Sequence, residues 1–177
     1  MKPDVAITKC NDYVNEEVYQ TIKKSVDLLG GIGAFVKKGE RILLKPNLLS
    51  AKPPEAAVTT HPAVVRAVLQ LLKEAGAHPV VGDSPGMGSA EKVAQKCGIA
   101  AVAKEFDVDV IGLATSISVE NPDGKTFKRF EIAKEALEAD GIINIPKLKT
   151  HTQMFLTLGV KNMFGCVVGT RTPQWHM

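Results

Sequence analysis

Four lysines and two histidines carry most of the chemical capacity of this sequence. Lys45, Lys147 and Lys149 follow directly on apolar runs, Lys161 lies in the segment just beyond, and His61 and His151 stand beside Thr60 and Thr150. Ammonium groups bind phosphate or carboxylate, and imidazole exchanges protons near neutral pH. The densest group is Lys147-Leu148-Lys149-Thr150-His151-Thr152-Gln153, followed by Thr157-Leu158-Gly159-Val160-Lys161-Asn162-Met163-Phe164-Gly165-Cys166. No acid occurs after Asp140, so the positive charge of this stretch is not neutralised locally. That favours a small anion over a neutral sugar. A plain basic surface turn leading into a helix remains the competing reading.

Two other segments offer polar groups in the same way. Lys45-Pro46-Asn47 ends one apolar run, and Gly82-Asp83-Ser84-Pro85-Gly86 ends another. Thr59-Thr60-His61 precedes a helical pattern, where free backbone N–H groups favour an oxyanion. His61, Asp83 and His151 are therefore the candidates for moving protons. Lys45, Asn47, Thr60, Ser84, Lys147, Lys149, Lys161 and Asn162 are the candidates for holding a ligand. Each has a structural alternative: Thr59-Thr60 can be a simple cap, and Asp83 can stabilise its own turn, orient a lysine or act as a base. Neither GxxxxGK[ST] nor GxGxxG is present, which disfavours the standard modes of ATP and NAD binding.

The elements that must position these groups follow from hydrophobic periodicity. Asp4 to Lys9 reads as a short strand and Asn15 to Leu29 as a helix, with Asn15 as its cap and Gly30-Gly31 as its stop. Arg41 to Leu44 is a strand, and Pro62 to Ala75 is a helix carrying Val64, Val68, Leu71 and Leu72 on one face. Pro79 to Val81 is the next strand, followed by a helix from Ser89 to Lys96 capped by Ser89. Val108 to Leu113 is a strand, and Asn121-Pro122-Asp123-Gly124 turns a hairpin between Ile117–Glu120 and Phe127–Ile132. A short helix at Glu135 to Ala139 leads to a last strand, Gly141 to Ile145. Alternating strands and helices predict an α/β fold: a mostly parallel sheet with helices on both faces, a Rossmann-like three-layer sandwich with one β-hairpin insertion. In such sheets ligands sit beyond the carboxyl ends of the strands, where all the residues named above fall.

Composition sets the outer bounds. The 177 residues form one α/β domain, 1–177, and a chain of this length buries roughly 70% of its unfolded surface. Lys plus Arg exceed Asp plus Glu by three, with no basic stripe, so nucleic acid is not an expected partner. Cys10, Cys97 and Cys166 lie far apart without a CxxC pair, so no cofactor is evident from the cysteines, and no metal site is assigned. No apolar run is long enough for a signal peptide or a membrane span, which makes a cytoplasmic location the default and a membrane partner unexpected.

Four motifs in order carry a family resemblance: Leu44-Lys45-Pro46-Asn47-Leu48, Thr60-His61-Pro62, Val81-Gly82-Asp83-Ser84-Pro85-Gly86, and Pro146-Lys147-Leu148-Lys149-Thr150-His151 leading to Leu158-Gly159-Val160-Lys161-Asn162-Met163-Phe164-Gly165. Together they resemble the family of domain of unknown function 362. Many members are described as iron–sulfur cluster-binding proteins because a ferredoxin-like cysteine module follows this domain. The resemblance therefore implies that the chain is the N-terminal part of a longer protein, with an iron–sulfur-linked, oxidoreductase context and a 4Fe-4S cluster in the full-length form. Two functions stay open: binding or turning over a small anionic substrate or cofactor at the strand ends, or serving as a non-catalytic scaffold that docks the ferredoxin-like module.

Overall fold

A computed structural model describes residues 5–151 and 155–168. The first helix, α1 (Asn15–Leu28), begins one residue earlier than a cap at Asn15 would give. Val14 is the capping residue and makes no side-chain bond, while Asn15 is already helical. Asp12 accepts from the Val14 N–H at 2.8 Å, and Glu17 reaches back to the Asn11 N–H at 2.9 Å. These carboxylates satisfy donors that the missing cap leaves open. Gly30 and Gly31, at φ 103° and 81°, end the helix as anticipated.

β1 (Arg41–Pro46), β2 (His78–Asp83), β3 (Val110–Gly112) and β6 (Gly141–Ile145) form one sheet in the order β3-β2-β1-β6, with every pairing parallel. Between them run α2 (Pro62–Glu74), α3 (Ala90–Lys96) and α4 (Ile99–Glu105). The hairpin β4 (Ser116–Glu120) and β5 (Arg129–Ala133), followed by α5 (Lys134–Leu137), interrupts the alternation. The result is the expected α/β sandwich of Rossmann-like form, a parallel sheet flanked by helices.

Strand alternation divides the core in two. Ile42, Leu44 and Val81 pack with Val65, Leu69 and Leu72 of α2, Val93 of α3 and Ile99 of α4. Leu43 faces the other way, toward Leu113, Ala133, Ala136 and Cys166. Fully burying each large aliphatic side chain contributes about 1.5–3 kcal/mol, so the first cluster dominates stability. The outer helix α1 packs on α2 through Val18 against Ala63 and Ala67.

Three local expectations change. Val5 to Lys9 forms no strand, and Val5 and Ile7 stand 74% and 90% exposed. Alternation favours extended backbone, but a strand also needs a neighbour to complete its ladder, and the segment instead rests on α1 through the Thr8 hydroxyl bond to the Thr21 carbonyl. The helix α4 was hidden by its shortness and becomes possible because Gly98 turns at φ 82°. A second antiparallel hairpin, β7 (Lys149–His151) with β8 (Phe155–Thr157), follows β6 where the sequence reads only as a basic turn. The chain then makes α6 (Gly159–Asn162) and a 3-10 turn from Met163 to Cys166.

Candidate functional site

The site is assembled by parallel register. Lys45 of β1 lies opposite Asn144 of β6, and Asp83 ends the neighbouring β2. Lys45 is wholly buried and its Nζ lies 2.6 Å from Asp83 Oδ1. The other carboxylate oxygen of Asp83 accepts from the Leu48 N–H at 2.7 Å. Both oxygens of Asp83 are thus engaged, and the charge of Lys45 is cancelled in place. Gly165 closes over this pair: a Cβ there would press on Asp83 Oδ1 and come within 2.7 Å of Lys45 Nζ.

Asn162, also buried, ties the ends of β1 and β6 together. Its Nδ2 donates to Asn144 Oδ1 at 2.8 Å and to the carbonyls of Lys45 and Pro46 at 3.3 Å, and its Oδ1 accepts from Asn47 Nδ2 at 2.9 Å. Thr60 does similar work beside it. Its hydroxyl donates to the Ile145 carbonyl at 2.7 Å and accepts from the Asn47 N–H at 2.8 Å. A buried polar network of this kind is stable only when nearly every member is paired. Asn47 Oδ1 is the exception among these residues, buried with no hydrogen-bond partner among the described residues.

The remaining lysines gather around this frame. Lys149 is half-buried and donates to the Val58 carbonyl. Burial lowers its amine to about 8; Lys161 and Lys147 push the same way, against Asp83. Lys161 is also lowered, by burial and then by Lys45, and its Nζ sits 5.3 Å above the Phe164 ring. Lys147 donates to the Tyr13 hydroxyl at 3.3 Å and lies 5.7 Å from that ring. Among the described residues no carboxylate is within ion-pair distance of Lys147, Lys149 or Lys161.

The two histidines are not joined by any described contact. His61 caps α2, its Nδ1 accepting from the Ala63 N–H at 3.2 Å, and stacks on Tyr13 at 3.7 Å between ring centroids. Burial and then Lys147 lower its pKa, which keeps the imidazole neutral. His151 is lowered by burial and then by Lys161 and Lys149. The first amides of α2 are already bonded to His61, by its ring to Ala63 and by its carbonyl to Val64 and Val65. The positive character of the site therefore rests on side chains rather than on that helix end. Ser84 is half-buried in the loop after β2 and makes no hydrogen bond to another described residue. Thr152 and Gln153 lie outside the described residues.

Tyr13, Asn144, Thr157 and Gly165 belong to the site without having been singled out. Asn144 had a signal in the sequence, a lone amide inside the apolar strand Gly141–Ile145. Tyr13 had none, because only tertiary packing brings it to His61. Thr157 pairs with Lys149 across the β7–β8 register, is buried, and has no partner for its hydroxyl among the described residues.

Cys166 is buried under the site. Burial raises its thiol pKa although Lys45 opposes the shift, so it is an inert packing residue rather than a nucleophile. Cys97 is buried in the opposite core and Cys10 is exposed. The three cysteines do not fit a shared iron–sulfur cluster, and no group of three His, Cys, Asp or Glu residues among those described could hold a metal. A shallow hollow on α1, lined by Gln20, Lys23, Lys24, Asp27 and Leu28, carries no comparable chemistry, since Lys23 is already paired with Asp27. No helix among the described residues is long and apolar enough to cross a membrane.

Comparison with known proteins agrees with the motifs. The sequence model of the family described as Domain of unknown function (DUF362) matches residues 42–177, which include every site residue except Tyr13. The thylakoid-associated protein sll1697 of Synechocystis sp. is 40% identical over 177 residues, covering 100% of this chain and 54% of the relative. The chain thus spans about half the length of that relative.

Proposed function

Because the chain belongs to the DUF362 family, whose description names no reaction, we propose a function from the site itself: the domain binds a small phosphate- or carboxylate-bearing molecule at the carboxyl ends of its strands. The carrying observation is a charge imbalance. Lys45 and Asp83 neutralise each other, while Lys147, Lys149 and Lys161 cluster beside them with no described carboxylate in reach. Assembling three cations around a partly desolvated space costs free energy that a bound anion would return. Lys161 and Lys147 supply charge, and the unpaired amide oxygen of Asn47 would accept from a hydroxyl or amine of the ligand rather than meet its anionic group. His151, held neutral, is the group suited to accept a proton from a bound ligand, while His61, whose Nδ1 is taken by the Ala63 N–H, offers a ring N–H donor instead. In the longer protein this ligand would be a substrate or cofactor of an iron–sulfur-linked redox reaction.

The test is titration of the domain with inorganic phosphate, pyrophosphate and small dicarboxylates at low salt, followed by calorimetry and by the melting temperature. One of these anions should bind, and Lys161→Met should weaken it about 10–100-fold, the range for one charged hydrogen bond. Failure of every anion to raise the melting temperature would sink the reading.

A second reading, a scaffold that docks a ferredoxin-like module, is favoured by the outer surface of the second hairpin. Leu148, Leu156 and Leu158 are 64%, 44% and 47% exposed there, on the face opposite Lys149 and Thr157. A ferredoxin that binds the domain, and is released by Leu156→Asp, would support it; indifference to that substitution would not.

A further inference from the structure

Of the four site lysines, one has a carboxylate partner, two lie over aromatic rings, and Lys149 has neither contact among the described residues. Lys45 has Asp83 at 2.6 Å. Lys147 and Lys161 lie over the rings of Tyr13 and Phe164, and a ring face favours the ammonium form. Among the described residues Lys149 has neither a carboxylate at ion-pair distance nor a ring face; Asp83, committed to Lys45, acts on it only at longer range. Its one bond among the described residues is to the Val58 carbonyl, a contact that a neutral amine can still make through one N–H while keeping its lone pair free.

The neighbour of Lys149 across the hairpin is as unusual. Thr157 pairs with it directly, so both side chains occupy the same face of the two strands. Thr157 is 4% exposed, yet its hydroxyl has no partner among the described residues. A buried hydroxyl left unpaired costs on the order of 1–3 kcal/mol, so its place beside an uncompensated amine calls for a ligand atom.

Building on the anion-site reading, we propose that Lys149 is an amine nucleophile that forms an imine with a carbonyl compound bearing a carboxylate or phosphate, such as a 2-oxo acid or a phosphorylated aldehyde. The anionic group lies toward Lys161 and Lys147. The Lys149 nitrogen lone pair attacks the carbonyl carbon, the C=O π pair moves to oxygen, and that oxygen takes a proton to give a carbinolamine. The Thr157 hydroxyl hydrogen-bonds the new C–OH. Nitrogen loses one proton as the neutral carbinolamine forms; the C–OH then takes up a second proton from solvent and leaves as water while the nitrogen lone pair forms the C=N bond, giving the protonated imine, and no oxidant or reductant is consumed. Two features promote the attack: a neighbouring cation and partial desolvation both favour the neutral amine. With its pKa lowered to about 8, roughly a tenth of Lys149 is free amine at pH 7, against about 0.03% for an ordinary lysine.

The test uses glyoxylate with sodium cyanoborohydride at pH 7, which converts an imine irreversibly into a carboxymethyl-lysine that peptide mass spectrometry locates. Lys149 should be labelled about 100-fold faster than the exposed Lys37, inorganic phosphate should slow it, and unfolding in urea should abolish the difference. Lys149→Arg, shown by circular dichroism to be folded, should remove that label alone, and Thr157→Val should slow labelling about tenfold. Equal labelling of Lys149 and Lys37 in the folded protein overturns the imine. If that protein still binds phosphate, the anion site stands without the covalent step, so the two claims fail separately.

Discussion

Asparagine in place of Asp83 removes one charge from the centre of the frame while keeping the side chain's shape. Lys45 is wholly buried and, among the described residues, its nitrogen has one other hydrogen bond, to the Pro46 carbonyl at 3.4 Å. After Asp83→Asn it must either keep an uncompensated charge or release a proton. Releasing it at pH 7 costs about 4–5 kcal/mol, at about 1.4 kcal/mol per pH unit between neutrality and the free lysine value. Breaking buried pairs in other proteins typically costs about 3–5 kcal/mol, which agrees. For a chain of this size the melting temperature should fall by roughly 6–20 °C. Urea unfolding at pH 7 and pH 9 measures both the size of the loss and its origin. Between these pH values the unfolded variant holds the lysine proton that the folded variant has released, so the deficit should shrink as pH rises. Adding Lys45→Met to Asp83→Asn should recover about 2 kcal/mol or more, because an apolar replacement leaves no buried charge. A loss under about 1 kcal/mol, the worth of a surface pair, would refute the argument. So would a double variant no more stable than the single one.

Asn162→Leu should cost at least about 2 kcal/mol in the same assay, since it removes a group bonded to Asn47, Asn144 and the carbonyls of Lys45 and Pro46; a neutral result would mean that these groups find other partners. Gly165→Ala should cost about 1–3 kcal/mol by driving a methyl into the Lys45–Asp83 pair. Gly159→Ala is its control: the nearest atom to the added methyl is Asn144 Nδ2 at 3.7 Å, and the change should stay within about 0.5 kcal/mol. Lys149→Met should change the pH profile of stability. The folded protein sheds the Lys149 proton at about 8 while the unfolded chain keeps it to the ordinary lysine value. Wild type should therefore gain stability across that interval relative to the variant, and unfolding midpoints at pH 7 to 10 that move in parallel would contradict this.

The sequence by itself determined the order of the elements and the rim they share. Apolar runs closed by Lys45-Pro46-Asn47, Gly82-Asp83-Ser84 and Pro146-Lys147 mark strand ends, and helical spacing between them requires crossovers that place those ends on one side of a parallel sheet. The Ser89 cap and the helix start at Pro62 were legible because capping depends on the nearest few residues, although the side chain that caps α2 is His61 and not Thr59 or Thr60. Tertiary structure decided what each polar group does. Lys45 and Asp83 are 38 residues apart and look alike in sequence to Lys149 and Ser84, yet register buries the first two as a pair and leaves Lys149 with no ion pair among the described residues. It also withheld a strand from Val5 to Lys9, brought Tyr13 onto His61, and folded Lys149 and Thr157 onto one face of an unforeseen hairpin. Periodicity reports which face of an element is apolar. Charge pairing depends on distances of a few ångströms between residues remote in the chain, and only the packed sheet sets those.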